Sequence, residues 1–153
     1  MLYGLALLAG VVAGSRALTA PAAVSWAARL GHLHLEGSWL AFMGYAWTPW
    51  IFTLLAIVEL VTDQLPSTPS RKVPMQFGAR MVTGALSGAT LGAAGRSWIV
   101  GLVAGVIGAA IGTFGGAEVR SHMAKAFGHD APAALIEDAG AIILGLIIIW
   151  ASR

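Results

Sequence analysis

Long apolar runs separated by short polar stretches are the dominant pattern along the 153 residues of this chain. A helix needs about 20 apolar residues to cross the hydrocarbon core of a bilayer. Runs of about that length predict an all-α fold, a polytopic transmembrane helix bundle of about five spans. The five predicted segments are residues 2–30, 48–63, 77–95, 97–117 and 132–152.

The first segment is longer than a single span requires, and its middle is polar. The stretch GSRALTAP places Arg16 two residues after Gly14 and five residues before Pro21. A charge inside lipid and a proline inside a helix are both unfavourable. The stretch therefore predicts a break, which gives either a discontinuous helix or a half-helix that turns back. With such a break the span count becomes four or six.

Local signals mark the other boundaries. Thr48 followed by Pro49 predicts the start of a helix, with Thr48 as its N-cap. The stretch QLPSTPSRKVP, which contains Pro66, predicts a loop because it holds three prolines and a basic pair. After the fourth segment, EVRSHMAKAFGHD is polar enough to leave the bilayer or to lie along it. The four histidines are expected in surface loops rather than at a metal site.

The amino-acid composition indicates that much of the protein surface faces lipid. The chain is 58% hydrophobic and 10% charged, with a mean hydropathy of +0.79, whereas soluble domains carry about a quarter charged residues. We expect one integral membrane domain, residues 1–153, in a bacterial inner membrane. A net charge of +2 from nine basic residues is too small for a nucleic-acid surface. The absence of cysteine excludes disulfides and thiolate metal sites.

The distribution of basic residues bears on orientation. In the five-span count, five basic residues lie on one side and three on the other. Since cytoplasmic loops carry the excess of Lys and Arg, this count favours a cytoplasmic N-terminus.

Glycines recur at helical spacing in the fourth segment, at positions 101, 105, 108, 112 and 115. Small residues on one stripe let helix backbones approach closely in lipid. The stripe predicts tight packing within a protomer or between protomers, with a glycine-lined pore as the alternative. Because five helices make a thin wall, we expect a homo-oligomer that packs through the glycine stripes.

Four carboxylates fall inside two of the predicted spans. Glu59 and Asp63 are four residues apart and share a helical face, whereas Glu137 and Asp138 open the last segment. A carboxylate in lipid is costly, so these groups must face the bundle and find partners. The bases within or near the membrane segments are Arg16, Arg80 and Arg120.

Several short motifs resemble a family of small bacterial integral membrane proteins, domain of unknown function 4126. VELVTDQLP resembles its E-x-x-x-D-x-x-P signature, LIEDAGAI its acidic pair and GSRALTAP its first-segment break. Gln64 stands where the family has a basic residue. The resemblance implies a membrane bundle with these positions as its characteristic residues: Glu59, Asp63, Pro66, Glu137, Asp138, Gly14 and Pro21.

The leading hypothesis for function is a small transporter or channel-like protein. Its carboxylate cluster, balanced by Arg16 and by Arg80, would bind a small cation or relay protons. The alternative is a non-transporting scaffold or accessory subunit in which acid–arginine pairs only hold helices together. Neither hypothesis involves an enzyme or a cofactor, and the identity of a bound metal is not predicted.

Overall fold

The computed structural model describes residues 1–65 and 67–153, so Pro66 lies outside the described residues. Within these ranges the fold is all-helical, as predicted, with six α-helices and one 3₁₀ turn and without a strand. The helices are α1 (Leu2–Ser15), α2 (Thr19–Arg29), α3 (Thr48–Thr62), α4 (Pro74–Ala94), α5 (Trp98–Phe127) and α6 (Asp130–Ala151), and the 3₁₀ turn is Ala41–Gly44.

The first apolar segment is broken where the sequence predicts it. α1 ends at Ser15, and Arg16 adopts an extended conformation with φ −136° and ψ 106°. α2 begins at Thr19, with Pro21 in its first turn. Proline is tolerated there because the backbone N–H of a first-turn residue has no acceptor within the helix.

Contacts along the chain show that α2 turns back beside α1. At one end of the molecule, the Tyr3 hydroxyl donates to the Gly95 carbonyl oxygen. At the same end, His32 Nδ1 lies 3.0 Å from the Ile149 carbonyl oxygen. At the other end Arg16 contacts Asp138. Successive helices therefore alternate in direction, and both chain termini lie at the first end. We call this end the terminal end and the opposite one the linker end.

This alternation changes the predicted topology. The five-span count treats residues 2–30 as one span and places the N-terminus opposite the turn at Arg96. The contact between Tyr3 and Gly95 places both at the terminal end. The break thus separates two helices of opposite direction, the half-helix alternative of the sequence analysis.

Glycines hold α5 between α1 and α4. A Cβ added at Gly105 would overlap the Gly84 carbonyl oxygen of α4, and one added at Gly10 of α1 would overlap the Gly105 carbonyl oxygen. Gly108 and Gly112 meet the backbone of α1 in the same way. Close packing within the protomer is confirmed. Gly115, the last glycine of the stripe, meets no atom within 4 Å, whereas the backbone contacts of the other four replace the glycine-lined pore. The homo-oligomer stays a prediction.

Two of the described helices, α5 and α6, are long and apolar enough to cross a membrane. In the most apolar 18-residue window of each, 33% of the residues are buried, whereas the core helix of a soluble protein would be mostly buried. Large apolar side chains cover the outside of the bundle on α3, α5 and α6. Examples are Leu54, Val61, Ile107, Ile111, Ile143 and Leu146.

One boundary prediction was wrong. Thr48 is the first residue of α3 rather than its N-cap, and its hydroxyl donates to the Phe42 carbonyl oxygen at 2.6 Å. α5 continues unbroken to Phe127, so the polar stretch after residue 117 extends the same helix. Its expected exit from the bilayer stays a prediction. The N-cap of α5 is Ser97, whose hydroxyl oxygen accepts the Val100 N–H.

Candidate functional site: an acid–arginine cluster at the helix break

Arg16 is the centre of the polar interior. Its side chain is fully buried and emerges where α1 and α2 meet. Its guanidinium contacts Asp63, at the end of α3, and donates from Nε to Asp138 Oδ1 of α6 at 2.5 Å. Glu137 Oε2 lies 3.9 Å from Nη2. One arginine at the break therefore binds two other helices.

Glu59 and Arg80 satisfy the backbone on the two sides of the break. The Glu59 carboxylate accepts the N–H groups of Ala17 at 2.7 Å and Leu18 at 2.8 Å. Arg80 Nη1 donates to the carbonyl oxygens of Gly14 at 3.0 Å and Ser15 at 2.6 Å. The negative charge of Glu59 at the start of α2 and the positive charge of Arg80 at the end of α1 also interact favourably with the dipoles of these helices. The two side chains thereby replace the hydrogen bonds that an unbroken helix would make.

Glu137 is held from the linker and from α5. Arg71 donates to it with two nitrogens, at 2.5 and 2.8 Å, and Arg120 Nη1 lies 3.4 Å away. Arg120 also pairs with Asp130 at the start of α6, at 2.6 and 3.0 Å. Gly116 of α5 lies directly behind, because a Cβ there would come within 3.2 Å of Arg71 and 3.3 Å of Glu137.

The charges of this acid–arginine cluster do not cancel. We define the cluster as the guanidinium groups of Arg16, Arg71, Arg80 and Arg120 with the carboxylates of Glu59, Asp63, Asp130, Glu137 and Asp138. Four positive groups face five negative ones, an excess of one negative charge when all are ionised. Among the described residues, Glu59 alone of these acids lacks an arginine within 4.0 Å.

A cavity of about 560 Å³ opens beside the cluster at the linker end. Asp63, Gln64 and Arg71 form one side, and Arg80, Arg120 and Asp130 are on the others. A second cavity, of about 410 Å³, lies at the terminal end and is lined by Arg29, His34 and Glu36 among others. Water thus has a polar recess at each end of the bundle.

The described part of the chain contains no group of three or more Asp, Glu or His side chains placed to hold a metal ion. The carboxylate oxygens of the cluster point instead at guanidinium or amide N–H groups. Divalent cations such as Mg²⁺ and Ca²⁺ need several oxygen ligands aimed at one point. The acids of the cluster are therefore not arranged around a common point that a metal ion could occupy.

The structure brings the predicted site residues together. Arg16, Asp63, Glu137 and Asp138 meet at one point, and Glu59 lies one helical turn along α3 from Asp63. Arg80 differs from its expected role as a counter-ion, because it binds backbone carbonyls rather than a carboxylate.

Sequence reasoning missed Arg71 and Gln64. Arg71 lies in the predicted loop and is not among the predicted site residues, although its Nη1 lies 2.5 Å from Glu137 Oε1. Gln64, in the position where the resembled family is basic, donates to Asp138 at 2.9 Å. A proline-rich linker gives no periodicity from which the direction of its side chains can be read.

Comparison with known proteins gives no match, neither to a family model nor to a curated protein or a solved structure. The resemblance to domain of unknown function 4126 stays a prediction.

Proposed function

We propose that this chain is a small polytopic membrane transporter whose acid–arginine cluster carries a proton. The observation on which the proposal rests is the uncompensated negative charge of the cluster at a broken helix, beside a cavity open to one end. Discontinuous helices of small transporters form binding sites in this way, since their free ends interact with ions.

Glu59 is the residue we assign to proton exchange. Asp63, Asp130, Glu137 and Asp138 each contact an arginine within 4.0 Å. Glu59 is held only by backbone N–H groups, so it is the carboxylate that can take up one proton without breaking an ion pair. One proton brings the cluster to neutrality, which lowers the cost of its place within lipid.

The depth of the cluster supports access from water. Gly116, which lies behind Glu137, follows Trp98 of α5 by 18 residues, or about 27 Å at 1.5 Å per residue. The hydrocarbon core is about 30 Å thick. The cluster therefore lies near the linker-end boundary rather than at the bilayer centre, and the cavity connects it to solvent.

A bacterial inner membrane is the proposed location, with the linker end facing the cytoplasm. The linker end holds Arg71, Lys72, Arg80, Arg120 and Lys125, whereas the terminal end holds Arg29, Arg96 and Arg153. The excess of basic residues in cytoplasmic loops favours this orientation. A homo-oligomer and the lack of catalysis stay predictions.

The second candidate function is a scaffold or accessory subunit. The observation that favours it is that every acid of the cluster already has a partner, so the pairs could serve only to hold α1, α2, α3 and α6 together. Buried ion pairs often fix one arrangement of helices without adding net stability.

Proton movement into liposomes separates the two functions. Purified protein is reconstituted with a pH-sensitive dye inside, and a potassium gradient with valinomycin sets the membrane potential. Wild type is compared with Glu59→Gln, which keeps the side-chain size, removes the proton site and retains one of the two oxygen acceptors for the backbone N–H groups of the break. Glu118→Gln is the matched control, because Glu118 lies exposed near the end of α5 and contacts only His122 among the described residues.

The proposal predicts proton entry in wild type and in Glu118→Gln and its loss in Glu59→Gln. Equal rates in all three preparations and in protein-free liposomes would reject proton transport. The scaffold function would then account for the cluster.

A further inference from the structure

We propose that the cavity at the linker end, here called the linker cavity, binds an oxyanion of the phosphate class, with Arg80 as its innermost group. The ligand is a free phosphate or the phosphate of an anionic lipid headgroup, which share this chemistry. The inference does not depend on proton transport, because it concerns the arginine side of the cavity rather than Glu59.

The first observation is the burial of Arg80 beside the linker cavity. Its side chain is 3% exposed, yet it borders the linker cavity. Its hydrogen bonds to the described residues use Nη1 alone, and Nε is buried without a partner. A buried guanidinium group without a carboxylate is costly. An anion in the adjacent cavity would supply the missing counter-charge.

The lining of the linker cavity is the second observation. Arg71 and Arg120 stand in it with Arg80, against the carboxylates of Asp63 and Asp130. The lining therefore carries one excess positive charge, opposite in sign to the cluster as a whole. Arg71 and Arg120 are already paired with Glu137 and Asp130. Among the described residues, Arg80 is therefore the lining arginine without an ion pair.

Neutral donors complete the set. Ser70 comes from the linker and Ser121 from α5, and both residues line the cavity, whereas the Thr68 hydroxyl already donates to the Thr62 carbonyl oxygen. Tetrahedral oxyanions are recognised by arginines together with hydroxyl and amide donors. A cavity of about 560 Å³ is larger than a phosphate ion needs and leaves room for a glycerol headgroup.

The test uses a substitution that does not touch the break. Arg80 holds the end of α1, so its replacement would disturb folding as well as binding. Ser121 is exposed on the cavity wall. Ser121→Asp adds a carboxylate that competes for the guanidinium groups, whereas Ser121→Asn has the same size without the charge.

Thermal unfolding of the full chain in detergent is measured with increasing inorganic phosphate, at constant ionic strength set with chloride. The same variants are measured without inorganic phosphate in vesicles of zwitterionic phosphatidylcholine, with and without anionic phosphatidylglycerol. A ligand of the folded state raises the midpoint progressively as its concentration exceeds its dissociation constant. We expect a rise in wild type and in Ser121→Asn, and an apparent affinity weaker by about tenfold or more in Ser121→Asp.

The two series identify the source of the anion. A rise with inorganic phosphate supports a soluble oxyanion, and a rise only with phosphatidylglycerol supports a lipid headgroup. The proposal is overturned if neither raises the midpoint of wild type. It is also overturned if Ser121→Asp responds like Ser121→Asn, because the anion would then bind elsewhere. If wild type showed no proton flux in the liposome experiment, the result for anion binding would be unaffected.

Discussion

At the scale of single residues, Arg16 decides how the first segment folds. Its backbone is extended, so neither α1 nor α2 can include it, and its side chain is the nearest counter-charge for Asp63 and Asp138. Through these two carboxylates, the buried guanidinium group joins the break to the end of α3 and to the interior of α6.

Replacement of Arg16 by Met therefore leaves two carboxylates without their partner. Removal of one member of a buried ion pair costs about 3–5 kcal/mol. We expect Arg16→Met to lower the free energy of unfolding by about that amount, measured by sodium dodecyl sulfate titration in mixed micelles. Arg29→Met is the control, since Arg29 is exposed and makes no side-chain hydrogen bond to the described residues. A loss for Arg16→Met no larger than that of the control would contradict the central role of Arg16.

Residue-level signals predicted the members of the cluster better than their partners. A charge and a proline in an apolar run indicate a break wherever they occur, and an i, i+4 spacing puts Glu59 and Asp63 on one face. The acceptor role of Glu59 toward Ala17 and Leu18 could not be read in the same way. It depends on where α2 begins in space, which the local sequence of α3 does not contain.

At the scale of helices, α5 is the element on which the packing depends. Along one stripe, Gly101 and Gly105 contact the backbone of α4, and Gly108 and Gly112 contact the backbone of α1. The sequence predicted the stripe from its spacing. Which helices would meet it could not be predicted, because small residues permit close approach to any partner with small residues of its own.

Alanine substitutions within α5 test this packing. A Cβ at Gly105 would overlap the Gly84 carbonyl oxygen and lie 2.9 Å from its carbon, whereas a Cβ at Gly115 meets no atom within 4 Å. Gly105→Ala should cost about 1–3 kcal/mol through overpacking. Gly115→Ala should be neutral or gain up to about 1 kcal/mol from helix propensity. Unfolding in mixed micelles measures both, and equal effects would show that the α4–α5 contact is not close.

At the scale of the whole molecule, the turn at Arg16 determines the topology. Six described helices that alternate in direction bring both termini to the terminal end. Segment length alone could not establish this, since residues 2–30 are long enough for one tilted span and α1 and α2 are each shorter than a span. The basic residues at each end are the same in both topologies, and only the position of the N-terminus differs.

Cysteine labelling distinguishes the two topologies, because the chain has no cysteine of its own. Gly4→Cys places a thiol at an exposed position with no atom near its Cβ. We expect a membrane-impermeant maleimide to label it in intact cells. Glu36→Cys should be labelled in intact cells and Ser70→Cys only after lysis in either topology, so they serve as controls. A Gly4→Cys thiol that reacts only after lysis would support the five-span arrangement instead.

The central claim of this account is that Glu59 exchanges a proton while the arginine-bound acids stay ionised. Infrared difference spectroscopy of the purified protein between two pH values detects the C=O stretch of a newly protonated carboxyl group directly. We predict such a band in wild type and in Glu118→Gln, and its disappearance in Glu59→Gln. The same band in all three proteins would mean that another group takes up the proton, and the assignment of Glu59 would be wrong.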